Sequence, residues 1–263
     1  MVSQILAVIK NGLSMLIPEG KTRLLVTGGS GFIGTNVVDY YLNKSTYKVL
    51  NIDIAAPVHP GHASVWQRVD LLDNDKLSLV LEEFDPHYVL HLAARTDLDG
   101  RHINDYAPNI DGVRHLISAT QKSPSLRRVV FASSMLVCKV GYNPRSFYDF
   151  CPVNPYGESK VIGEKLVHAS KLGCSWSIVR PTSIWGPWFK EPYRNFFDYV
   201  VKGRYLHIGN SRVKKTYGFI GNVVCQLDAL LNADSGKGIV KMSGVNQGRR
   251  TQVNCRKRVE SIR

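Results

Sequence analysis

The sequence predicts an α/β fold with a parallel, doubly wound sheet, followed by a small C-terminal lobe. Short apolar runs rich in β-branched residues alternate with segments of helical spacing between residues 23 and 181. The first run ends in a cluster of glycines, which indicates a tight turn into a helix. Because alternating strands and helices form right-handed βαβ units, we expect helices on both faces of the sheet.

The expected elements follow one another in a regular order. The first strand leads through glycines into a helix, the second strand closes on Asp53, and the third ends near Asp70. The predicted strands are RLLVTGG (23–29), YKVLNID (47–53), VWQRVDLLD (65–73), HYVLHLAA (87–94), RRVVFASS (127–134) and CSWSIVRP (174–181), and the predicted helices run over residues 32–42, 73–83, 106–121 and 156–171.

Composition limits the class of protein to which the chain can belong. Its 263 residues suffice for one large α/β domain. The five cysteines show no paired spacing, which argues against a disulfide framework or a zinc site and fits a reducing cytosol. The formal net charge is +13, but residues 249–263 carry +5 of it, and no nucleic-acid-binding pattern is present. We therefore expect a cytoplasmic protein without bound metal, nucleic acid or stable membrane insertion.

The turn TGGSGFIG, residues 27–34, has the spacing of a dinucleotide-binding loop. Gly28 permits the tight turn, Gly31 lets a pyrophosphate approach the backbone, and Gly34 allows close packing of helix on strand. The phosphates would meet free N–H groups at the positive end of the helix dipole. Asp53, about 20 residues further on, would accept hydrogen bonds from ribose hydroxyls and repel the extra phosphate of NADP. The turn therefore predicts a Rossmann-type fold that binds NAD.

The segment VNPYGESK, residues 153–160, places Tyr156 and Lys160 four residues apart on one helix face. An ammonium group near a phenol favours the phenolate and lowers its pKa from about 10. Tyr156 could then act as a general base at neutral pH. The same spacing also begins ordinary amphipathic helices. The glycine loop, Ser134 and the order of the strands favour the catalytic interpretation.

Together, these motifs resemble the extended branch of the short-chain dehydrogenase/reductase superfamily, the NAD-dependent epimerase/dehydratase family of nucleotide-sugar enzymes. The resemblance covers residues 22–225. It implies a catalytic set of Ser134, Tyr156 and Lys160, with Ser134 at the end of FASS. The residues that it assigns to the cofactor are Gly28, Gly31, Phe32, Ile33, Gly34, Asp53, Asp70, Leu71, Leu92, Ala93, Ala94, Asn109, Tyr156 and Lys160.

The resemblance also implies a reaction. Tyr156 takes the proton from a sugar hydroxyl, Ser134 hydrogen-bonds that oxygen, and Lys160 holds the nicotinamide ribose. Hydride passes from the sugar carbon to NAD and returns to the other face of the rotated keto sugar. The residues expected to bind the nucleotide-sugar substrate are Ser134, Ser183 and Lys215.

Several positions depart from the family pattern. Met135 and Leu136 replace the Asp–Glu pair of the dehydratases, and since neither can transfer a proton, elimination of water is not expected. Cys138 stands where many epimerases have tyrosine. Ser183 replaces an asparagine, and Lys215 replaces a phosphate-binding arginine with a point charge.

The expected domain organisation follows from these motifs. Residues 22–181 form the NAD-binding Rossmann domain, and residues 182–244, rich in aromatics and glycine, form a partial substrate-binding lobe. Residues 1–21 are expected to be an N-terminal extension: an extra helix packed on the domain, or residues upstream of the true start. Residues 245–263 form a basic tail without apolar period, expected to be disordered. The resemblance implies a longer lobe than this chain supplies.

Three functions remain open from the sequence. The first is an NAD-dependent nucleotide-sugar epimerase or a related sugar oxidoreductase. The second is an NAD(P)H-dependent carbonyl reductase acting on a sterol, a flavonoid or a keto sugar. The third is a non-catalytic NAD-binding subunit, which the short C-terminus favours. The resemblance further implies a homodimer that associates through the helices beginning at Tyr106 and Tyr156.

Overall fold

Seven parallel strands form the central sheet of the computed structural model, which describes residues 20–189, 198–204, 217–233 and 236–242. Two further strands form a separate parallel pair. The strands are β1 (Thr22–Thr27), β2 (Tyr47–Asp53), β3 (Trp66–Arg68), β4 (Tyr88–His91), β5 (Arg128–Ala132), β6 (Ser175–Pro181), β7 (Ser183–Trp185), β8 (Tyr217–Phe219) and β9 (Lys237–Met242), of which β7 and β8 are the separate pair.

The order of the strands across the large sheet is β3-β2-β1-β4-β5-β6-β9. The chain first winds outward from β1 to β3 and then crosses to β4 on the other side of β1, so the sheet is doubly wound. This confirms the predicted Rossmann-type fold. The carboxyl ends of β1 and β4 meet where the winding reverses, which is where such folds bind ligands.

The helices are divided between the two faces of the sheet. Alternate residues of a strand point to opposite faces, and β1 sends Leu25 to one core and Leu24 and Val26 to the other. Apolar side chains of α2, α3 and α4 fill the Leu25 core, and those of α1 and α5 fill the other. The helices are α1 (Phe32–Leu42), α2 (Asn74–Phe84), α3 (Ala107–Thr120), α4 (Pro155–Ala169) and α5 (Ile220–Leu231).

A polar cluster also fastens α1 to α5. The Asp228 carboxylate accepts hydrogen bonds from the hydroxyls of Tyr40 and Tyr41, at 3.1 and 2.8 Å, and from the Lys44 ammonium, at 2.9 Å. The Lys44 nitrogen lies 4.3 Å from the centre of the Tyr40 ring, a cation–π distance. These contacts position α5, although the sequence pattern beyond residue 181 did not predict this helix.

The boundary expected after residue 181 is not where the sheet ends. Residues 182–244 were expected to form a partial substrate-binding lobe, and within this range α5 packs on the sheet and β9 pairs with β6 as its seventh strand. The partner of β9 lies far away in the sequence, so no local pattern reveals the pairing. Of the expected extension over residues 1–21, residues 1–19 lie outside the described residues, as does the expected tail over residues 245–263. Within the described ranges, no helix is both long and apolar enough to cross a membrane.

Candidate active site

A cleft of about 640 Å³ opens at the carboxyl edge of the sheet, beside the point where the strand order reverses. Its walls come from the β1–α1 loop and from the residues that follow β2, β3 and β4. The structure brings most of the predicted cofactor residues together here. They are Gly28, Gly31, Phe32, Ile33, Gly34, Asp53, Asp70, Leu71, Leu92, Ala93 and Ala94.

The glycine loop forms a close-packed cradle at one end of the cleft. Gly28 has a φ of 72°, and a Cβ there would lie 2.5 Å from the backbone nitrogen of Ala93. A Cβ on Gly34 would lie 2.1 Å from the carbonyl oxygen of Gly28, so helix and strand approach as the sequence predicted. Gly31 is the N-cap of α1 without a side-chain cap, and its Cβ position has only the Gly28 oxygen nearby, at 3.4 Å. The cradle therefore fits a pyrophosphate group on the free N–H groups of α1.

The Asp53 carboxylate stands at the carboxyl end of β2, in the wall of the cleft. Its Oδ2 accepts a hydrogen bond from the Ser30 backbone N–H, and its Oδ1 accepts one from Ala55, both at 3.0 Å. Each carboxylate oxygen can accept a second hydrogen bond. Asp53 is therefore fixed in direction and still able to receive the ribose hydroxyls of a dinucleotide.

Asn109 lies behind the cleft wall rather than in it. Its side-chain oxygen accepts a hydrogen bond from the Arg95 backbone N–H at 2.8 Å, and its amide donates to the Arg95 carbonyl at 3.0 Å. The same amide donates to the Ser159 hydroxyl at 2.9 Å. Asn109 was expected to contact the cofactor, but the structure gives it a different position, in which it ties the segment after β4 to helix α4.

Ser134, Tyr156 and Lys160 meet at the carboxyl end of β5, outside the lining of the large cleft. Lys160 donates a hydrogen bond to the Ala132 carbonyl at 3.0 Å, and its nitrogen lies 6.0 Å from the centre of the Tyr156 ring. Ser134 forms a side-chain hydrogen bond with Tyr156 and accepts another from the Leu136 backbone N–H at 3.1 Å. All three predicted catalytic side chains are buried.

The electrostatics of this group differ from the sequence-based expectation in one respect. Lys160 was expected to lower the pKa of Tyr156. Burial instead raises the pKa of the Tyr156 phenol, as does the neighbouring Tyr106, and the hydrogen bond with Ser134 only partly opposes this increase. Burial also lowers the pKa of Lys160 to about 8, although Glu164 acts in the opposite direction. The protein's own groups thus favour the neutral phenol of Tyr156.

Two buried groups beside Lys160 were not among the predicted site residues. His91, at the end of β4, lies 2.8 Å from the Thr27 hydroxyl, and burial together with the charge of Lys160 lowers its pKa to about 3. Glu164 forms an ion pair with Arg180, and both side chains are 1% exposed. The sequence does carry a signal for Glu164, because it continues the four-residue spacing of Tyr156 and Lys160 along one helix face.

The structure does not place the residues expected to bind substrate together, unlike the predicted cofactor and catalytic residues. Ser183 begins β7 and stands in register with Tyr217 of β8, within the separate pair of strands. Lys215 lies outside the described residues. Met135 and Leu136 form a short 3₁₀ turn with Val137 directly after Ser134. Among the described residues, no group of three or more His, Cys, Asp or Glu side chains could hold a metal ion.

Comparisons with known proteins agree with this architecture. A 3 beta-hydroxysteroid dehydrogenase/Delta 5-->4-isomerase of Mycobacterium tuberculosis is 28% identical over 221 residues, which are 77% of this chain and 58% of that protein. An N-acetyl-alpha-D-glucosaminyl-diphospho-ditrans,octacis-undecaprenol 4-epimerase of Escherichia coli O157:H7 is 25% identical over 206 residues, covering 76% of this chain and 60% of that protein. The chain thus spans about three fifths of the length of these relatives.

A solved structure extends the comparison to three dimensions. The UDP-glucose 4-epimerase of Thermus thermophilus, crystallised as a complex with NAD, superposes with a TM-score of 0.69 at 25% identity. The match covers 84% of this chain and 78% of that one. The sequence model of the NAD dependent epimerase/dehydratase family matches residues 24–240, which include both parts of the site and residues of every strand of the large sheet. The chain belongs to the NAD dependent epimerase/dehydratase family.

Proposed function

We propose that this protein is an NAD-dependent nucleotide-sugar epimerase or a closely related sugar oxidoreductase. The observation that carries the proposal is the meeting of Ser134, Tyr156 and Lys160 at the end of β5, one strand away from a cleft whose walls fit a dinucleotide. The uncapped helix end would bind the pyrophosphate of either dinucleotide, and the Asp53 carboxylate at the ribose favours NAD over NADP.

Each residue of the catalytic group has a separate task. NAD, when bound, supplies the acceptor for a hydride from the sugar carbon and gives the hydride back. Tyr156 removes the proton from the sugar hydroxyl and later returns it, and Ser134 hydrogen-bonds the reacting oxygen. Lys160, held by the Ala132 carbonyl, presents its positive charge to the Tyr156 phenol and to the ribose of the cofactor. Because Met135 and Leu136 carry no acid or base, elimination of water is not part of the proposed reaction.

A nucleotide sugar is the substrate class that the relatives favour. The Thermus thermophilus structure carries the name of a UDP-glucose 4-epimerase. The Escherichia coli relative is named as a 4-epimerase of a sugar linked through diphosphate to undecaprenol, so it shares the sugar diphosphate but not the nucleotide. Ser183 and Lys215 remain the residues we propose for contact with this substrate. Since the chain spans three fifths of its curated relatives, the substrate follows from resemblance and not from a described pocket.

A carbonyl reductase is the second candidate, and one observation favours it. The raised pKa of Tyr156 keeps the phenol protonated, which suits a group that donates a proton to a carbonyl oxygen. A hydroxysteroid dehydrogenase is also among the relatives. Such an enzyme consumes one reduced cofactor for each substrate molecule, whereas an epimerase consumes none.

The first test is the nucleotide content of the purified protein. The protein is denatured, and the released nucleotide is identified by chromatography and mass spectrometry. Stoichiometric NAD is the expected result, since a closed redox cycle retains its cofactor. Protein that releases no nucleotide and also fails to bind added NAD or NADP would rule out both candidate activities.

The second test is turnover with UDP-, GDP- and CDP-sugars in the presence of NAD. We expect interconversion of one sugar pair without net NADH formation, and loss of this activity in Tyr156→Phe. Tyr148→Phe is the matched control, because the Tyr148 side chain is 65% exposed and lies on the loop before α4. Net oxidation of NAD(P)H by a carbonyl substrate would instead identify the reductase. Equal rates in both variants would exclude Tyr156 as the acid–base group.

We also propose a homodimer formed through α3 and α4. Each helix carries an apolar side chain that is only partly buried, Ile110 on α3 and Ile162 on α4. A second copy that packs on these helices would bury both. Light scattering measures the mass in solution, and Ile162→Glu should shift a dimer to monomer. A wild-type protein that runs as a monomer at all concentrations would contradict this assembly.

A further inference from the structure

Lys160 poses an electrostatic problem that its own hydrogen bond does not solve. The side chain is 7% exposed and donates to the Ala132 carbonyl oxygen, which is a dipole and not a counter-charge. A buried ammonium without a nearby anion tends to lose its proton. A neutral Lys160 could not support a phenolate at Tyr156. The carboxylate on the same face of the helix is Glu164, one turn further on.

The Glu164 carboxylate accepts three hydrogen bonds, one from Ser133 and two from Arg180. Its Oε1 accepts hydrogen bonds from the Ser133 hydroxyl at 2.5 Å and from Arg180 Nε at 2.8 Å. Its Oε2 accepts from Arg180 Nη2 at 2.5 Å. Ser133 directly precedes Ser134, and Arg180 belongs to β6. One carboxylate thus connects the helix of Tyr156 and Lys160 with the strand end that carries Ser134.

Arg180 extends this connection to the loop between β5 and α4. Its Nη2 also donates to the Phe147 carbonyl oxygen at 2.6 Å, and its guanidinium carbon lies 5.2 Å from the centre of the Phe150 ring. The guanidinium therefore has its partners at fixed positions. A buried ion pair of this kind contributes little net stability compared with apolar side chains of similar volume. The effect of the pair is therefore to be sought in the charge that it places beside Lys160.

The charges around Lys160 indicate what this effect is. His91 faces Lys160 from β4 and stays neutral, because its pKa lies near 3. Glu164 on the same helix and Arg180 on β6 carry the two remaining charges, of opposite sign. A cavity of about 20 Å³ lies among His91, Ser133, Lys160 and Glu164, and the described residues that line it include no other charged side chain. Burial lowers the pKa of Lys160, and Glu164, which Arg180 holds in place, is the charged group that acts against this decrease.

We propose that Glu164 is a positioning residue that keeps Lys160 protonated, and that Arg180 fixes the carboxylate in the direction this requires. In the working enzyme the pair maintains the ammonium that supports proton exchange at Tyr156. This last consequence rests on the proposed function, whereas the effect on Lys160 itself does not.

The test follows the titration of Lys160 in the protein without any substrate. Lysine is labelled at Nζ, and the Lys160 resonance is assigned by its absence from Lys160→Met. Glu164→Gln removes the charge but keeps the shape, and we expect the titration midpoint of Lys160 to fall by about one pH unit. Glu164→Asp keeps the charge but shortens the side chain, and we expect the midpoint to stay close to that of the wild type.

A double variant separates charge balance from general disruption. Glu164→Gln combined with Arg180→Met removes both charges, and we expect the midpoint to return towards the wild-type value. Glu164→Asp and the double variant are both charge-balanced. If Glu164→Gln does not fold, Arg180→Gln takes its place, because it leaves the Glu164 charge without its guanidinium partner and should raise the Lys160 midpoint. A midpoint that stays unchanged in the single variant that removes one charge, or that moves as far in the two charge-balanced variants, would overturn the proposal.

Turnover gives a second and separable measurement. With an identified sugar substrate, Glu164→Gln should lower kcat and displace its pH profile, while KM changes little. A purely structural role would lower the amount of folded enzyme without displacing the profile. If no sugar is turned over, the proposed function fails, but the titration of Lys160 still decides the role of Glu164.

Discussion

Gly157 lies so close to Leu136 that a Cβ atom on this glycine would stand 2.3 Å from the Leu136 carbonyl oxygen. Leu136 donates its own N–H to the Ser134 hydroxyl, and Gly157 directly follows Tyr156. The absence of a side chain at residue 157 therefore sets the distance between the serine and the tyrosine of the candidate site. In the sequence YGESK, residues 156–160, this glycine stands between Tyr156 and Lys160.

Gly157→Ala should consequently reduce both stability and activity. Alanine normally stabilises a helix relative to glycine by about 1 kcal/mol. Here the overlap with Leu136 reverses the sign, and we expect a loss of about 1–3 kcal/mol in the free energy of unfolding. A displacement of Ser134 from Tyr156 by about 1 Å can lower turnover roughly 100-fold. Urea denaturation and steady-state kinetics measure the two effects. Gly173→Ala is the control, because its Cβ would meet nothing within 4 Å. If Gly157→Ala is more stable than wild type, the Leu136 carbonyl does not exclude a side chain at residue 157.

Asp53→Asn should change the preference between the two dinucleotides. The amide can still accept a hydrogen bond from Ser30 or Ala55, but it no longer repels the phosphate on the NADP ribose. We expect the ratio of NADP to NAD affinity to rise by about tenfold, equivalent to about 1.4 kcal/mol. Calorimetric titration with both nucleotides measures this ratio. The exposed Asp75 supplies the control Asp75→Asn, and equal ratios in the two variants would show that Asp53 does not select the cofactor.

Lys160 should make the stability of the protein rise with pH above neutrality. Its pKa is about 8 in the folded protein and near 10.5 in the unfolded chain, so the unfolded chain holds more protons between these values. Stability then increases with pH in this window, by about 1 kcal/mol between roughly pH 7 and pH 9. Urea denaturation at both pH values should show this increase in wild type and in Lys165→Met, an exposed position on the same helix. Lys160→Met should lack it; an unchanged pH dependence in that variant would mean that Lys160 is not a buried ammonium.

His91 should make the protein sensitive to mild acid. The folded protein holds the pKa of His91 near 3, whereas the unfolded chain takes up this proton at about pH 6.5. The stability that depends on neutral His91 is therefore present above about pH 6.5 and falls as the pH decreases, by about 2 kcal/mol at roughly pH 5. His91→Asn can retain a hydrogen bond to the Thr27 hydroxyl and should lose less stability over this range. If the free energy of unfolding falls with decreasing pH equally in wild type and in His91→Asn, then His91 is not the source of the acid sensitivity.

Local sequence patterns were sufficient to predict the existence and order of the first six strands and of the helices between them. The alternation of Leu24, Leu25 and Val26 between two cores matches the apolar run that predicted β1. The glycine spacing likewise predicted the cradle, because Gly28 and Gly34 are required by contacts with a residue that follows the adjacent strand and with the turn itself. The third strand was expected to end near Asp70 and ends at Arg68. Its later residues belong to the turn that brings Asp70 and Leu71 into the cleft.

Other features could not be predicted from local sequence. β9 has a short apolar centre and becomes part of the sheet only because β6 offers an unpaired edge. Asn109 was assigned to the cofactor, but its partners on Arg95 and Ser159 come from two other elements. The pKa of Tyr156 was expected to be low, because spacing reveals a neighbouring charge but not the depth of burial.

By itself, the sequence predicted the class of fold and the position of the dinucleotide cradle, which depend on residue type, on periodicity and on spacing within single elements. Its resemblance to the family added the candidate set of Ser134, Tyr156 and Lys160. Only the tertiary structure decided the electrostatics of the site, since burial and the Glu164–Arg180 pair depend on packing between α4, β5 and β6. Desolvation acts over a few ångströms in space, irrespective of distance along the chain, and it therefore becomes visible only once the chain is folded.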